Sequence, residues 1–315
     1  MKKFILLIAS MILAVGCMII PAGAFNDASE ITAEDLPLPR SYSASTMRAG
    51  DTIVTDTSDP ANVNIALPPH PENVLDMVST AAVQSSDCTV IKGSAVPQYN
   101  HGAHYYAFAP YNNSYQEAFA NIKLPTSLNT KSIRTAYISL GIHGSVHGID
   151  LGLKNDGSGW YPVSYDVNGA FTEYTGYRAP STATNAIMVV KPLDATHVGM
   201  YLQFVNSSGA SVGTTFDKSI EVNSGNLTYS GSYIQCKFYR FASLVPNSGT
   251  TDNRADGTYM RGGQFTNLGL YLRSSSSYQT WGINTARVAN AWKVYPSKIS
   301  LSYTANNDTF SINHS

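Results

Sequence analysis

Charged residues are scarce in this chain of 315 residues. They make up 13% of it, against about 25% in an average domain, and the 20 basic residues nearly balance the 21 acidic ones. A surface that binds nucleic acid needs clustered basic residues, so this composition excludes nucleic acid as a partner. With few charges, the surface must form most of its hydrogen bonds through uncharged hydroxyl and amide groups.

Long apolar runs are also missing, except at the start of the chain. Lys2 and Lys3 precede an uncharged stretch over 4–20, and Ala22-Gly23-Ala24 then supplies the small residues of a signal peptidase site. We therefore expect residues 1–24 to be a signal peptide and the protein to be secreted, extracellular or associated with the cell envelope. The mature chain would have no membrane span and a net charge of about −3. A membrane anchor, or a lipid on Cys17, are the alternatives.

Cysteine is rare as well. The chain has three, and only Cys88 and Cys236 remain once the signal peptide is removed. An oxidising compartment favours a disulfide between two such residues, so we expect the pair Cys88 and Cys236 to be bonded. The alternative is two buried thiols, because cysteine is among the most buried residue types.

No sustained helical period occurs in the chain. Residues 25–86 are interrupted by six prolines and indicate a linker or pro-segment. From 87 to 315, short runs of Tyr, Val, Ile, Phe and Thr are separated by Gly, Asn, Asp and Ser. This pattern predicts one all-β domain over 87–315, an antiparallel two-sheet sandwich.

Two alternating runs over 133–154 flank Gly144-Ser145, which predicts a hairpin with a two-residue turn. That turn would pair Ile142 with His147 and Ser139 with Asp150. One face would then be the core, formed by Ile138, Leu140, Ile142, His147, Ile149, Leu151 and Leu153. The other face would be polar and would carry three glycines, Gly141, Gly148 and Gly152.

The same alternation recurs near 198–204, 233–239 and 267–273, with aliphatic residues on one side and Gly, Tyr and amides on the other. Glycine weakens a strand unless something approaches its backbone closely, and a bound chain would be a reason for it. Tyrosine and amide groups suit a sugar ring or an extended peptide. The candidate ligand-binding residues are therefore Tyr137, Asp150, Tyr201, Gln203, Lys237, Tyr239 and Tyr271. The alternative is the ordinary solvated side of a sheet.

Familiar catalytic and metal-binding patterns are missing. The sequence has no nucleophile elbow, phosphate loop or dinucleotide fingerprint, so we expect no cofactor. His101 with His104, and His143 with His147, have spacings found in zinc sites, but the predicted hairpin puts His143 and His147 on opposite faces. We expect no metal site.

One part of the chain resembles secreted glutamic peptidases. The similarity lies in the order of three segments, 135–142, 148–153 and Trp160-Tyr161-Pro162, and covers about 30 residues. It implies a two-sheet, concanavalin-like jelly roll. The catalytic glutamine of that family would fall at or near Asp150, and Glu221 is the one candidate for its glutamate, in a context that does not match.

Three functions remain open at this stage. The first is a non-catalytic binding module that presents the polar face to a polysaccharide or another cell-surface polymer. The second is a hydrolase or lyase acting on a glycan or peptide in the same groove, with Asp150 and Glu221 as its acid–base pair. The third is a structural or matrix protein.

Overall fold

A computed structural model describes residues 88–93, 102–145, 148–166, 171–222, 225–247, 255–274 and 277–315, and the backbone of Glu30–Ile31. These residues form strands, two 3-10 turns at Thr175–Tyr177 and Pro296–Lys298, and connecting loops, with no α-helix among them. The strands are β1 (Glu30–Ile31), β2 (Cys88–Lys92), β3 (Ala103–Phe108), β4 (Tyr115–Lys123), β5 (Ser127–Asn129), β6 (Arg134–His143), β7 (Gly148–Asn155), β8 (Tyr161–Asp166), β9 (Phe171–Glu173), β10 (Asn185–Pro192), β11 (His197–Val205), β12 (Phe216–Glu221), β13 (Thr228–Ser230), β14 (Tyr233–Gln235), β15 (Lys237–Pro246), β16 (Tyr259–Leu272), β17 (Ser277–Thr280), β18 (Asn290–Val294), β19 (Ile299–Tyr303) and β20 (Asp308–Asn313).

Two large antiparallel sheets account for all but two of these strands. Sheet A has ten strands and runs β1-β17-β16-β4-β10-β11-β12, with β5 and β20 also paired to β16 and β19 paired to β20. Sheet B has eight strands in the order β2-β18-β3-β15-β6-β7-β8-β9. The remaining strands, β13 and β14, form a small hairpin. The predicted all-β, two-sheet sandwich is confirmed.

The hairpin β6–β7 has a different register from the one predicted. Ile142 pairs with Ile149, and Gly141 with Asp150, so the connection contains four residues rather than two. The shift moves each pairing by two positions. Because side chains alternate with a period of two, a shift of two leaves both faces unchanged. Ile138, Leu140, Leu151 and their aliphatic neighbours are fully buried in the core, as predicted. His147 lies outside the described residues.

The inner faces of the two sheets meet across an ion pair. Arg240 of β15, in sheet B, donates through Nε to Oδ2 of Asp308 of β20, in sheet A, at 2.6 Å, and both side chains are fully buried. Tyr105 of β3 donates its hydroxyl to the same carboxylate. The Arg240 guanidinium also lies 4.7 Å from the ring centroid of Trp281. The even-numbered residues of β15 therefore face sheet A, and the odd-numbered residues face away from it.

The predicted disulfide does not form, because both cysteines are free. Cys88 pairs with Val294 at one end of sheet B, in the row of residues that continues through His104 to Ser243. Cys236 comes immediately before β15 and seven residues before Ser243, which places it about 20 Å from that row. Two cysteines that far apart cannot be bridged, since a disulfide needs Cα atoms within about 7 Å.

The predicted signal peptide over 1–24 lies outside the described residues. So does the predicted linker over 25–86, apart from Glu30–Ile31, which pair with Gln279 and Tyr278 at the edge of sheet A. Within the described part of the chain, no helix has the length and hydrophobicity to cross a membrane.

We expect reductant to leave the melting temperature unchanged. Burial raises the pKa of the Cys88 thiol to about 11 and that of the Cys236 thiol to about 12. Two pKa units lower the thiolate fraction about a hundredfold, so a thiol reagent should label the folded protein slowly at pH 8. Thiol titration of Cys17→Ser should find two thiols in urea without reductant. Finding none would show that the disulfide exists.

The Arg240–Asp308 pair should be essential for stability. Asp308→Asn keeps the shape of the side chain but leaves the buried guanidinium without a counter-charge, which costs about 3 to 5 kcal/mol of unfolding free energy. Asp194→Asn is the matched control, because Asp194 pairs with His197 where its side chain is 36% exposed. That change should cost less than about 1 kcal/mol. Equal effects in urea denaturation would contradict this assignment.

Candidate functional site

The outer face of sheet B contains four of the seven predicted ligand-binding residues. Lys237 and Tyr239 are odd-numbered residues of β15, and through the register Tyr239 shares a row with Gly141 and Asp150. Tyr137 lies two rows further along the same face, beside Ser243 and Lys154. The alternation in the sequence therefore predicts this part of the face correctly.

A hydrogen bond between strands organises the middle of this face. Tyr239 and Asp150 lie two strands apart, with Gly141 between them. The Tyr239 ring lies across Gly141, so that its hydroxyl donates to Oδ1 of Asp150 at 2.5 Å. A side chain at position 141 would overlap the ring atoms Cζ, Cε2 and Oη. Gly141 is thus required by the protein's own tyrosine.

The predicted reason for the other glycines is also wrong where the structure tests it. A Cβ atom on Gly152 would overlap the side chain of Ser139 on the neighbouring strand. Gly199, the glycine of the alternating run 198–204, belongs to β11 of sheet A and so is not part of the sheet B face. Gly141 and Gly152 therefore make room for neighbouring side chains of the same sheet, and they leave no space for a ligand.

This central part of the face is closed to solvent. Tyr137 and Tyr239 are 0% exposed and Asp150 is 1% exposed. Lys237 is half-buried, with its ammonium 5.6 Å from the ring centroid of Phe108. A ligand therefore cannot reach Asp150, Tyr137 or Tyr239 directly. It must first contact a part of the face that is open to solvent.

An open cavity of about 400 Å³ lies at one end of the face, where β7, β8 and β9 meet. Most of the residues that line it carry a hydroxyl, carboxyl or guanidinium group. They are Ser132, Asp156, Gly157, Ser158, Tyr161, Glu173, Thr175 and Arg178. We call it the sheet B pocket. Tyr161 and Lys154 form one row of the outer face, and Lys154 is fully buried.

Lys154 holds the two carboxylates of the sheet B pocket together. Its ammonium donates to Oε1 of Glu173 and lies 4.0 Å from Oδ2 of Asp156. Tyr161 also donates its hydroxyl to Asp156, at 3.0 Å. Burial alone would raise the pKa of Asp156, but hydrogen bonds from the Ser158 hydroxyl and amide, with the charge of Lys154, hold it below its ordinary value. Asp156 is therefore ionised at neutral pH.

Arg178 forms the outer wall of the pocket. Its guanidinium lies 4.6 Å from the centroid of the Tyr161 ring and donates to the carbonyl and hydroxyl oxygens of Ser158, both at 2.6 Å. Burial raises the pKa of Tyr161, and the charges of Glu173 and Asp156 raise it further. The phenol is therefore neutral. Two cations and two carboxylates balance, which leaves a polar pocket without net charge.

The other three predicted ligand-binding residues lie in sheet A. Tyr201 packs with Phe119 and Tyr278 in a separate apolar cluster, and Tyr271 meets Tyr278 edge-on at 5.0 Å. Gln203 donates its amide to Phe204 O and Val212 O and accepts from the Thr215 hydroxyl. All three face away from the core, on the side of the sandwich opposite to Asp150. The seven predicted residues therefore do not form one surface.

The candidate acid–base pair is separated in the same way. Glu221 is exposed at the end of β12, the edge strand of sheet A, whereas Asp150 is buried in sheet B. Each alternates with core residues of its own strand, so the two carboxylates point away from the core on opposite sides of the sandwich and cannot act on one bond. The prediction failed because alternation along a strand does not indicate which sheet the strand joins.

Sequence reasoning missed the residues of the sheet B pocket. Lys154 continues the alternation of Asp150 and Gly152 along β7, and Tyr161, Val163 and Tyr165 alternate in the same way along β8. Extending the period through these two strands would have found Lys154 and Tyr161. Arg178 and Glu173 come from short elements whose placement the pattern does not indicate.

Gly141→Ala tests the assigned role of this glycine. The new methyl group must displace the Tyr239 ring and break its hydrogen bond to buried Asp150, which should cost about 2 to 4 kcal/mol of unfolding free energy. Gly176→Ala is the control, because a Cβ atom there would have no neighbour within 4 Å. It should change stability by less than about 0.5 kcal/mol. Equal stability of both variants in denaturant titrations would refute the contact.

Comparisons with known proteins give structural similarity alone. No family model matches the chain, and no curated protein sequence matches it. Among solved structures, it is similar to scytalido-glutamic peptidase bound to a transition state analog inhibitor, with 12% identity, a TM-score of 0.41, and coverage of 71% of this chain and 100% of that one. It is also similar to SCP-B, a peptidase of the Eqolisin family in complex with a tripeptide, with 11% identity, a TM-score of 0.40, and coverage of 71% of this chain and 100% of that one. A third similar structure is the laminarinase catalytic domain from Thermotoga maritima MSB8, with 9% identity, a TM-score of 0.22, and coverage of 60% of this chain and 100% of that one. The faint resemblance that the sequence predicts is confirmed.

Proposed function

We propose that this protein is an exported, non-catalytic glycan-binding module whose open binding site is the sheet B pocket. One observation carries the proposal: an open cavity of about 400 Å³ combines ionised carboxylate, guanidinium, phenol and hydroxyl groups with balanced charge. It lies on the outer face that also contains Tyr137, Asp150, Lys237 and Tyr239.

The polarity of the pocket favours a neutral, polyhydroxylated ligand. Sugar hydroxyl groups both donate and accept hydrogen bonds, and the pocket offers carboxylate acceptors at Asp156 and Glu173 and guanidinium donors at Arg178. Charge-assisted hydrogen bonds are the stronger kind, so they can replace the water that a sugar loses on binding. An ionic ligand would gain little here, because the charges of the pocket already cancel.

The same groups argue against hydrolysis at this site. Glycoside hydrolysis needs one carboxyl group that is protonated and can donate its proton to the leaving group. Asp156 is held in its ionised form, and Glu173 accepts a charge-assisted hydrogen bond from buried Lys154. Neither carboxylate is placed to act as the acid, which supports binding over catalysis.

Arg178→Ala tests the proposal with little risk to the fold, because Arg178 is only half-buried and its 2.6 Å hydrogen bonds go to the exposed residue Ser158. The matched control is Arg261→Ala, which also removes an arginine stacked on a tyrosine, Tyr259, at 4.0 Å, but in sheet A. Binding is measured by affinity electrophoresis in soluble β-1,3-glucan, mixed-linkage β-glucan, xylan and mannan. We expect wild type and Arg261→Ala to be retarded by at least one polymer, and Arg178→Ala to bind it more than tenfold more weakly.

Two results would overturn the proposal. The first is migration of wild type unretarded by all four polymers, and the second is equal retardation of both arginine variants. Reducing ends are counted in the same incubations. Their release by wild type would replace the binding module with a glycan hydrolase.

A further inference from the structure

A second cavity, of about 360 Å³, lies at one end of sheet A. It is bounded by the start of β4, the end of β10 and the β13–β14 hairpin. Its lining is Gln116, Glu117, Lys191, Pro192, Leu193, Tyr229, Ser232, Tyr233, Ile234 and Arg273. We call it the sheet A pocket. Nothing in the proposed function uses it.

The lining of the sheet A pocket contains two cations and one carboxyl group. Arg273 is held in place at the wall: its guanidinium lies 3.3 Å from the Tyr233 ring centroid and donates to Asn113 O at 2.7 Å. Lys191 is almost fully buried on β10, beside Glu117 on β4. Such a cluster attracts an anion.

Burial makes Glu117 sensitive to pH near neutrality. Its removal from water raises the pKa of Glu117 to about 7, although the charge of Lys191 opposes the rise. Burial also lowers the pKa of Lys191, against the charges of Glu117 and Asp217. The other groups around Glu117 are Tyr271, its neighbour on β16, with Arg273 and the two hairpin tyrosines.

The positive charge of the pocket is therefore greater in acid. Below pH 7 Glu117 is neutral, so it does not offset the charges of Arg273 and Lys191, and Asp217 is the remaining carboxylate that acts on Lys191. Above pH 7 the Glu117 carboxylate offsets one of these two charges. A carboxyl that stays protonated can also donate a hydrogen bond to a bound carboxylate, which the ionised form cannot do.

The rim of the pocket is aromatic. Tyr229 and Tyr233 of the hairpin are 56% and 47% exposed, two of the four large hydrophobic side chains exposed in the described part of the chain. A tyrosine ring offers a flat apolar surface and a polar end, which matches the face and edge of a sugar ring.

We propose that the sheet A pocket binds a carboxylate of an acidic sugar chain, that is, a uronate-containing polysaccharide. Arg273 and Lys191 attract the carboxylate, Glu117 in its acid form donates a hydrogen bond to it, and Tyr229 and Tyr233 contact the sugar rings. This site is independent of the sheet B pocket, so either proposal can fail without the other.

The test is calorimetric titration of the protein with hexagalacturonate and with its methyl ester, which has the same rings without the charges. At pH 5.5 the acid should bind at least tenfold more tightly than the ester. At pH 8 a group with a pKa of about 7 is about one-tenth protonated, so affinity for the acid should fall about tenfold.

Glu117→Gln separates the proposal from nonspecific attraction of an anion. Glutamine keeps a hydrogen-bond donor and stays neutral, so this variant should bind hexagalacturonate equally at pH 5.5 and pH 8. Lys191→Met should weaken binding tenfold or more at pH 5.5, and Arg261→Ala, outside the pocket, should match wild type. The proposal is overturned if acid and ester bind alike, or if Glu117→Gln retains the pH dependence of wild type.

Discussion

The contact between Arg240 and Asp308 fixes how the two sheets face each other. Removing one partner of a fully buried pair leaves the other charge uncompensated, so the two side chains depend on each other. Tyr105 donates its hydroxyl to the same carboxylate, and the guanidinium lies near the Trp281 ring. The pair joins a central strand of sheet B to β20 of sheet A. Once Arg240 points inward, alternation along β15 turns Lys237 and Tyr239 outward. The inward orientation of Arg240 therefore determines which residues of β15 form the outer face of sheet B.

Glycines in sheet B leave space for side chains that extend across from neighbouring strands. Tyr239 spans Gly141 to meet Asp150, and Ser139 occupies the space above Gly152. The Tyr239–Asp150 bond joins three adjacent strands, β15, β6 and β7, and adds a side-chain link to their backbone pairing. Because the middle of the face is closed, polar groups meet solvent at its end, at Asp156, Ser158 and Arg178.

The sequence predicts the local features of this protein and misses those that depend on distant parts of the chain. Alternation correctly predicted the all-β class and the two faces of β6 and β7, because a strand's period of two survives a change of register by two. It could not show that Tyr201 lies on sheet A and Tyr239 on sheet B, because strands of both sheets have the same alternation of apolar and polar residues. The expected disulfide failed for the same reason: the distance between Cys88 and Cys236 depends on strand order, which spacing along the chain does not reveal.

The two pockets show why the chemistry of a carboxyl group cannot be predicted from its residue type. Asp156 is half-buried and Glu117 is almost fully buried, and burial by itself would raise the pKa of each. Asp156 receives hydrogen bonds from Ser158 and Tyr161 and the charge of Lys154, so it stays ionised. For Glu117, the charge of Lys191 alone opposes the effect of burial, so desolvation raises the pKa of this carboxyl group. The depth of burial and the number of donors that the fold brings to a carboxylate together decide whether it stays ionised or changes charge near pH 7.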